Sequence, residues 1–164
     1  MARLTEKDTV VIVPAYNEQR HISALVKAIR GAGYRVLVSD DGSKDRTVET
    51  ALDAGAEVLA TPNNGGKGTA IRRGLQWFIG SSFDAAVLMD GDGQHAVEDL
   101  PLFIDALNSG AHLVIGNRLT DPKGMPLVRR ATNRLMSGLL GAVSGRSVPD
   151  SQCGYRALTK LCAT

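Results

Sequence analysis

In the segment Ala85–His95, AAVLMDGDGQH, an apolar run passes directly into a cluster of polar residues. Ala85–Asp90 is typical of a strand that is buried on both faces of a parallel sheet. Four other segments have the same apolar character and predict further strands: Thr9–Pro14 (TVVIVP), Arg35–Asp40 (RVLVSD), Glu57–Thr61 (EVLAT) and His112–Asn117 (HLVIGN).

Helical patterns separate these strands. Asn17 is the predicted N-cap of the first helix, whose apolar positions are Ile22, Leu25, Val26 and Ile29. Further helices are predicted over Thr47–Ala54, Gly68–Phe78 and Asp99–Asn108. This alternation predicts an α/β fold: a doubly wound, mostly parallel sheet with helices on both faces and right-handed crossovers. Ligands of such sheets bind at the carboxyl ends of the strands.

After Asn117 the alternation stops. Gly124-Met125-Pro126 breaks the chain, and Val128–Val143 then has the pattern of a basic amphipathic helix. Its basic positions are Arg129, Arg130 and Arg134, and its apolar positions include Leu135, Met136, Leu139, Leu140 and Val143. Two interpretations remain open. The helix lies in a membrane interface with its arginines toward lipid phosphates, or it covers the sheet as an ordinary helix.

Composition narrows the class of protein. The chain has 164 residues, 43% of them apolar and 22% charged, which predicts one soluble globular domain over residues 1–164. A net charge of +2 and 4% aromatic residues argue against a nucleic-acid partner. The two cysteines, Cys153 and Cys162, fit neither a zinc site nor a disulfide framework, so a reducing cytoplasm is expected.

The chain termini and apolar segments set expectations about location. The N-terminal MARLTEKDT predicts no signal peptide, and no stretch approaches the roughly 18 apolar residues that cross a bilayer. We therefore expect a cytoplasmic protein that at most lies on the cytoplasmic face of a membrane. Because no closing strand is predicted before Thr164, we also expect a C-terminally truncated piece of a longer protein.

Asp90 and Asp92 are the strongest candidates for chemistry. Two carboxylates at the mouth of a sheet repel each other unless a cation lies between them. Oxygen ligands favour Mg²⁺ or Mn²⁺, and Gln94 offers a carbonyl oxygen and His95 an imidazole. A solvated Asp-Gly turn is the alternative. For Asp40 and Asp41 taken alone, capping of the next helix explains the carboxylates equally well.

Three other motifs fit less well. Gly91–Ala96 matches a dinucleotide fingerprint, but on the fourth strand and with two carboxylates against a pyrophosphate. A calcium loop fails because His95 replaces its glycine and Pro101 its bidentate glutamate. A P-loop fails because Thr61 and Gly68 stand at two of its defining positions.

Five ordered motifs carry a family resemblance: Val11–Glu18 (VIVPAYNE), Ser39–Asp45 (SDDGSKD), Gly65–Ala70 (GGKGTA), Met89–His95 (MDGDGQH) and Asp150–Arg156 (DSQCGYR). With these motifs the chain resembles family 2 glycosyltransferases of the GT-A fold. It is most similar to the polyprenyl-phosphate sugar synthases, the group typified by dolichyl-phosphate mannose synthase. The resemblance spans about Val10 to Arg156 and implies a single glycosyltransferase catalytic domain.

The resemblance implies a role for each matching residue. The donor nucleotide sugar, a GDP- or UDP-hexose, would contact Pro14, Tyr16, Glu18, Asp41, Lys67, Asp90, Gly91 and Asp92. In that set, Asp41 would contact the base, and Lys67 belongs to a Gly-Lys-Gly turn near the donor. Asp90 and Asp92 correspond to the family's D-x-D pair. Asp90, Asp92 and Gln94 would form the site of the Mg²⁺ or Mn²⁺ ion, with Asp92 and Gln94 as its direct ligands.

On the acceptor side, Arg118 matches the family's anion-binding arginine, although Asn117 stands where the family often has Ser. Cys153-Gly154-Tyr155-Arg156 replaces the usual Ser-Gly-Phe-Arg. Arg129 and Arg130 are further candidates for contact with an acceptor phosphate. The resemblance implies an inverting transfer of a hexose to a polyprenyl phosphate.

Acceptor chemistry separates the alternatives. A phosphate monoester, with a second pKa of about 6, is already ionised and needs no strong base. A glycan or other hydroxyl acceptor requires one, and Asp150 is the candidate. A third alternative is a non-catalytic nucleotide-binding module.

Overall fold

A six-stranded sheet forms the centre of the molecule in the computed structural model, which describes residues 3–92, 96–116 and 153–163. The strands are Thr9–Ala15 (β1), Arg35–Asp40 (β2), Glu57–Ala60 (β3), Ala85–Leu88 (β4), Leu113–Ile115 (β5) and Arg156–Thr159 (β6). Their order across the sheet is β3-β2-β1-β4-β6-β5. β1 to β4 pair in parallel, and of the six described strands β6 alone runs opposite to the others. The predicted mostly parallel sheet is therefore confirmed.

The prediction that no strand closes the chain before Thr164 is wrong. β6 inserts between β4 and β5, with Ala157 opposite Val87 on one side and Val114 on the other. Ala157 and Leu158 are buried, so β6 is a central strand of the sheet. Its four residues, RALT, contain only two apolar side chains, which is too short a pattern to predict a strand from sequence.

Helices cover both faces of the sheet, as predicted. They are Ile22–Gly31 (α1), Thr47–Asp53 (α2), Lys67–Gly80 (α3) and Leu100–Asn108 (α4), and a final helical turn spans Lys160–Ala163. Successive side chains of a strand point to opposite faces. Accordingly, Val11 and Val13 belong to a core with α1, α2 and α4, whereas Val10 and Ile12 belong to a core with α3.

The two loops that follow β1 and β2 are joined by hydrogen bonds. The N–H of Asn17 donates to Oγ of Ser43 at 2.9 Å, and Oδ1 of Asn17 accepts the N–H of Lys44 at 2.8 Å. The prediction that Asn17 caps α1 is therefore wrong, since the helix begins at Ile22 and the side chain of Asn17 binds the neighbouring loop. These bonds fix the carboxyl ends of β1 and β2 in position relative to each other.

Helix α3 lies unusually close to β1. A Cβ atom on Gly74 would come within 2.5 Å of Cγ2 of Ile12, so only glycine permits this separation. The approach places the first turn of α3, with Lys67, at the carboxyl edge of the sheet.

The predicted helix Val128–Val143 lies outside the described residues. In the parts of the chain that the structure describes, no helix is both long enough and apolar enough to span a membrane.

Candidate nucleotide-sugar site

A cavity of about 270 Å³ opens at the carboxyl ends of β1, β2 and β4. It is lined by Pro14, Ala15, Tyr16, Glu18, Asp41, Asn64, Gly66, Lys67, Ala70, Asp90, Gly91 and Asp92. All eight residues predicted to contact the donor are in this lining, so the structure brings them together in one place. A larger cavity of about 1050 Å³ opens near the amino ends of β4 and β5, away from all of them. The smaller cavity is the better candidate, because ligands of such sheets bind at the carboxyl edge.

Asp41 is buried and holds the loop between β3 and α3. Its carboxylate accepts the N–H of Gly65 at 3.1 and 3.2 Å and the N–H of Gly66 at 2.6 Å. The guanidinium of Arg73 donates to the same carboxylate at 3.2 Å and to the carbonyl oxygen of Asp40 at 3.0 Å. Asp41 thus fixes the backbone immediately before Lys67. The contact of Asp41 with the base of the donor nucleotide, which the family resemblance implies, remains a prediction.

Arg73 is a residue of the site that sequence reasoning missed. Its side chain is only 23% exposed, and its Nε is buried without a hydrogen-bond partner among the described residues. A signal for it existed in the sequence. Arg73 lies three positions after Ala70 and one before Gly74, on the face of α3 that packs inward, and a buried arginine requires an anionic partner.

Asp40, the other carboxylate at the end of β2, has a structural role. Its side chain accepts the N–H groups of Gly42 at 3.1 Å and Ser43 at 3.0 Å, and it also binds the hydroxyl of Ser43. These bonds stabilise the turn after β2 instead of capping α2. The start of α2 is bound by Asp45, whose carboxylate accepts the N–H of Thr47 at 3.0 Å. Although desolvation opposes the shift, hydrogen bonds from Thr47 lower the pKa of Asp45.

Asp90 lies two residues beyond β4, and its side chain is mostly buried. The ammonium Nζ of Lys67 approaches its Oδ1 at 2.7 Å. On another side, a Cβ atom on Gly154 would come within 2.6 Å of Cγ of Asp90. Gly154 therefore leaves room for the carboxylate by having no side chain.

Tyr155 anchors the segment that contains Gly154. Its hydroxyl donates to the carbonyl oxygen of Ala96 at 3.0 Å, and its ring packs on Phe103 with 4.3 Å between centroids. Burial, followed by the nearby charge of Asp99, raises the pKa of Tyr155, so the hydroxyl stays protonated and continues to donate. The segment is thus fixed to the chain just beyond the D-x-D motif.

The donor atoms of the cavity suit a hard divalent cation. Asp90 and Asp92 provide carboxylate oxygens, and Mg²⁺ or Mn²⁺ is commonly held by one or two carboxylates together with substrate phosphates. Gln94 and His95 lie outside the described residues. Within the described ranges, no three His, Cys, Asp or Glu side chains gather as a metal site.

The predicted acceptor residues lie outside the described ranges. These are Arg118, Arg129, Arg130 and the candidate base Asp150, and their roles remain predictions.

The sheet order, the helices on both faces and the cavity at the carboxyl edge define an α/β domain of the GT-A type. The model of the family described as "Glycosyl transferase family 2" matches residues 10–160, and the chain belongs to that family.

Two curated relatives illustrate the similarity. A glycosyltransferase of Haloferax volcanii named AglJ is 35% identical over 92% of this chain and 50% of its own length. A UDP-N-acetylglucosamine–dolichyl-phosphate N-acetylglucosaminyltransferase of Methanococcus voltae is 31% identical over 96% of this chain and 71% of its own length. The chain thus spans half the length of the first relative.

A solved structure has the same fold. It is glucosyl-3-phosphoglycerate synthase of Mycobacterium tuberculosis in complex with Mn²⁺, UDP-glucose and glycerol 3-phosphate. The TM-score is 0.73 at 25% identity, and the match covers 93% of this chain and 57% of that one.

Proposed function

We propose that this chain is the catalytic region of an inverting glycosyltransferase that moves a hexose from GDP- or UDP-hexose to a polyprenyl phosphate. The observation that carries the proposal is the cavity, in which all eight residues predicted to contact the donor converge at the carboxyl edge of the sheet. The name of the Methanococcus voltae relative supports a lipid-phosphate acceptor.

The donor half of the proposal rests on the charges in the cavity. Asp90 and Asp92, with Gln94 as a further predicted ligand, would hold Mg²⁺ or Mn²⁺. The solved relative in complex with Mn²⁺ and UDP-glucose supports that assignment. When bound, the ion supplies positive charge that stabilises the departing diphosphate. Lys67 adds a second positive charge on the wall of the same cavity. Pro14, Tyr16 and Asp41 lie beside it, where they would contact the nucleoside.

The acceptor half of the proposal rests on the ionisation of the acceptor phosphate. A polyprenyl phosphate carries its own negatively charged oxygen, so Arg118, Arg129 and Arg130 need only position it. Such a lipid acceptor would place the enzyme at the cytoplasmic face of a membrane.

A second candidate is transfer to a hydroxyl acceptor, with Asp150 as the base. The solved relative, a glucosyl-3-phosphoglycerate synthase whose complex contains glycerol 3-phosphate, favours keeping this alternative.

The test compares two acceptors that differ by one group. The protein is incubated with labelled GDP- or UDP-hexose, Mn²⁺ and either a polyprenyl phosphate or the polyprenol without its phosphate. We expect transfer to the phosphate alone and none when a chelator replaces Mn²⁺. Equal transfer to the polyprenol would contradict the phosphate acceptor. Donor binding without transfer to any acceptor would favour a non-catalytic nucleotide-binding module.

A further inference from the structure

The ion pair between Lys67 and Asp90 occupies the predicted metal site. Nζ of Lys67 lies 2.7 Å from Oδ1 of Asp90, the first carboxylate of the D-x-D pair. An ammonium and a divalent cation compete for the same carboxylate oxygens, because both are attracted by the same negative charge.

The side chains of Asp90 and Lys67 differ in how freely they can move. The side chain of Asp90 is 16% exposed and packs so closely on Gly154 that an added Cβ there would overlap it. The side chain of Lys67 is 58% exposed and ends a flexible four-carbon stem. When a metal binds, the carboxylate stays in place and the ammonium moves.

The backbone beside Lys67 does not need to move with it. The N–H groups of Gly65 and Gly66 are held by the buried carboxylate of Asp41, which also binds Arg73. Rotation about the side-chain bonds of Lys67 alone would carry its ammonium from Asp90 to another point on the wall of the same cavity.

We propose that Lys67 is a placeholder for the divalent ion and couples metal binding to donor binding. Without donor, its ammonium neutralises Asp90 and weakens binding of the metal. A nucleoside diphosphate attracts the ammonium away from Asp90 and so removes a cation that competes with the metal. Metal and diphosphate then strengthen each other's binding by the same factor. This inference rests on the proposed function, because it assumes that the cavity binds both ligands.

The experiment measures Mn²⁺ binding from the loss of the electron paramagnetic resonance signal of free Mn²⁺, with and without UDP or GDP. The Mn²⁺ bound by free nucleotide is determined in a titration without protein and subtracted. We expect Lys67→Met to bind Mn²⁺ alone about fivefold more tightly, the upper range for a partly exposed ion pair. In the same variant, the gain in Mn²⁺ affinity that the diphosphate confers should be about fivefold smaller than in the wild type, because no ammonium remains to be displaced.

Two control variants isolate the ion pair. Arg72→Met removes the same charge from a neighbouring position of α3 that does not line the cavity, and it should leave both affinities unchanged. Lys67→Arg keeps a cation at the site and should retain weak binding of Mn²⁺ alone. Unchanged or weaker binding of Mn²⁺ by Lys67→Met, with normal binding by the wild type, would overturn the coupling but not the proposed function. A wild type that binds no Mn²⁺ even with diphosphate would overturn both.

Discussion

Gly154→Ala should inactivate the enzyme without contact with substrate, because the new methyl group takes space that the Asp90 carboxylate occupies. The Cβ atom would come within 2.6 Å of Cγ of Asp90. Carbon atoms pack at about 3.5–4.0 Å, so the carboxylate must retreat by roughly 1 Å. The buried position of the segment, with Cys153 and Tyr155 fixed on either side, leaves the carboxylate as the group that shifts.

A displacement of that size has a large effect on catalysis. Misplacing a reacting or charge-stabilising group by about 1 Å can reduce the rate by about 10²-fold. The free energy of unfolding should fall by only about 1–3 kcal/mol, the usual cost of overpacking. We therefore expect kcat/KM to fall by about two orders of magnitude in a protein that remains folded at 25 °C.

Steady-state transfer and thermal unfolding are measured together. The matched control is Gly80→Ala, because a Cβ atom at the end of α3 meets no other atom within 4 Å. This control should keep wild-type kcat/KM and stability. If folded Gly154→Ala retained kcat/KM within about threefold of the wild type, the required position of Asp90 would be refuted.

Three further predictions concern other charged residues. Asp92→Asn should remove most of the dependence of donor affinity on Mn²⁺, as measured by calorimetry with metal or chelator; an undiminished dependence would contradict its role as a ligand. Arg73→Met should lower the free energy of unfolding by about 1–3 kcal/mol, because Asp41 loses a charged partner, and urea denaturation measures the loss. Asp150→Asn should reduce transfer to a polyprenyl phosphate only modestly, whereas a loss of about 10²–10⁴-fold with intact donor affinity would indicate a hydroxyl acceptor.

The parallel part of the sheet was predictable because its signal is local. Each of β1 to β4 is a short, apolar run, and the helices between them show their apolar positions at helical spacing. The donor side of the cavity was also predictable, because parallel strands bring the residues that follow β1, β2 and β4 to one edge of the sheet. The resemblance to family 2 glycosyltransferases added the expected roles of the individual residues.

The remaining features depend on contacts between distant parts of the chain. β6 is a strand because β4 and β5 flank it, and its own four residues carry too little apolar pattern to show this. Asparagine is a residue type that often caps helices. The side chain of Asn17 instead accepts a hydrogen bond from the N–H of Lys44 in the loop after β2. In both cases tertiary contacts decide between conformations that the local sequence permits.

Residues that support the site are harder to recognise than those that perform its chemistry. Asp90 attracts notice by its charge and its place after a strand, but its position depends on Gly154, which contributes by lacking a side chain. Asp41 is conspicuous for the same reasons, but its buried charge depends on Arg73, far along the chain on the inner face of α3. A carboxylate becomes useful only when its surroundings fix its place and its charge. Substitutions at Gly154 and Arg73 should therefore alter the site strongly even though neither residue would react with a substrate.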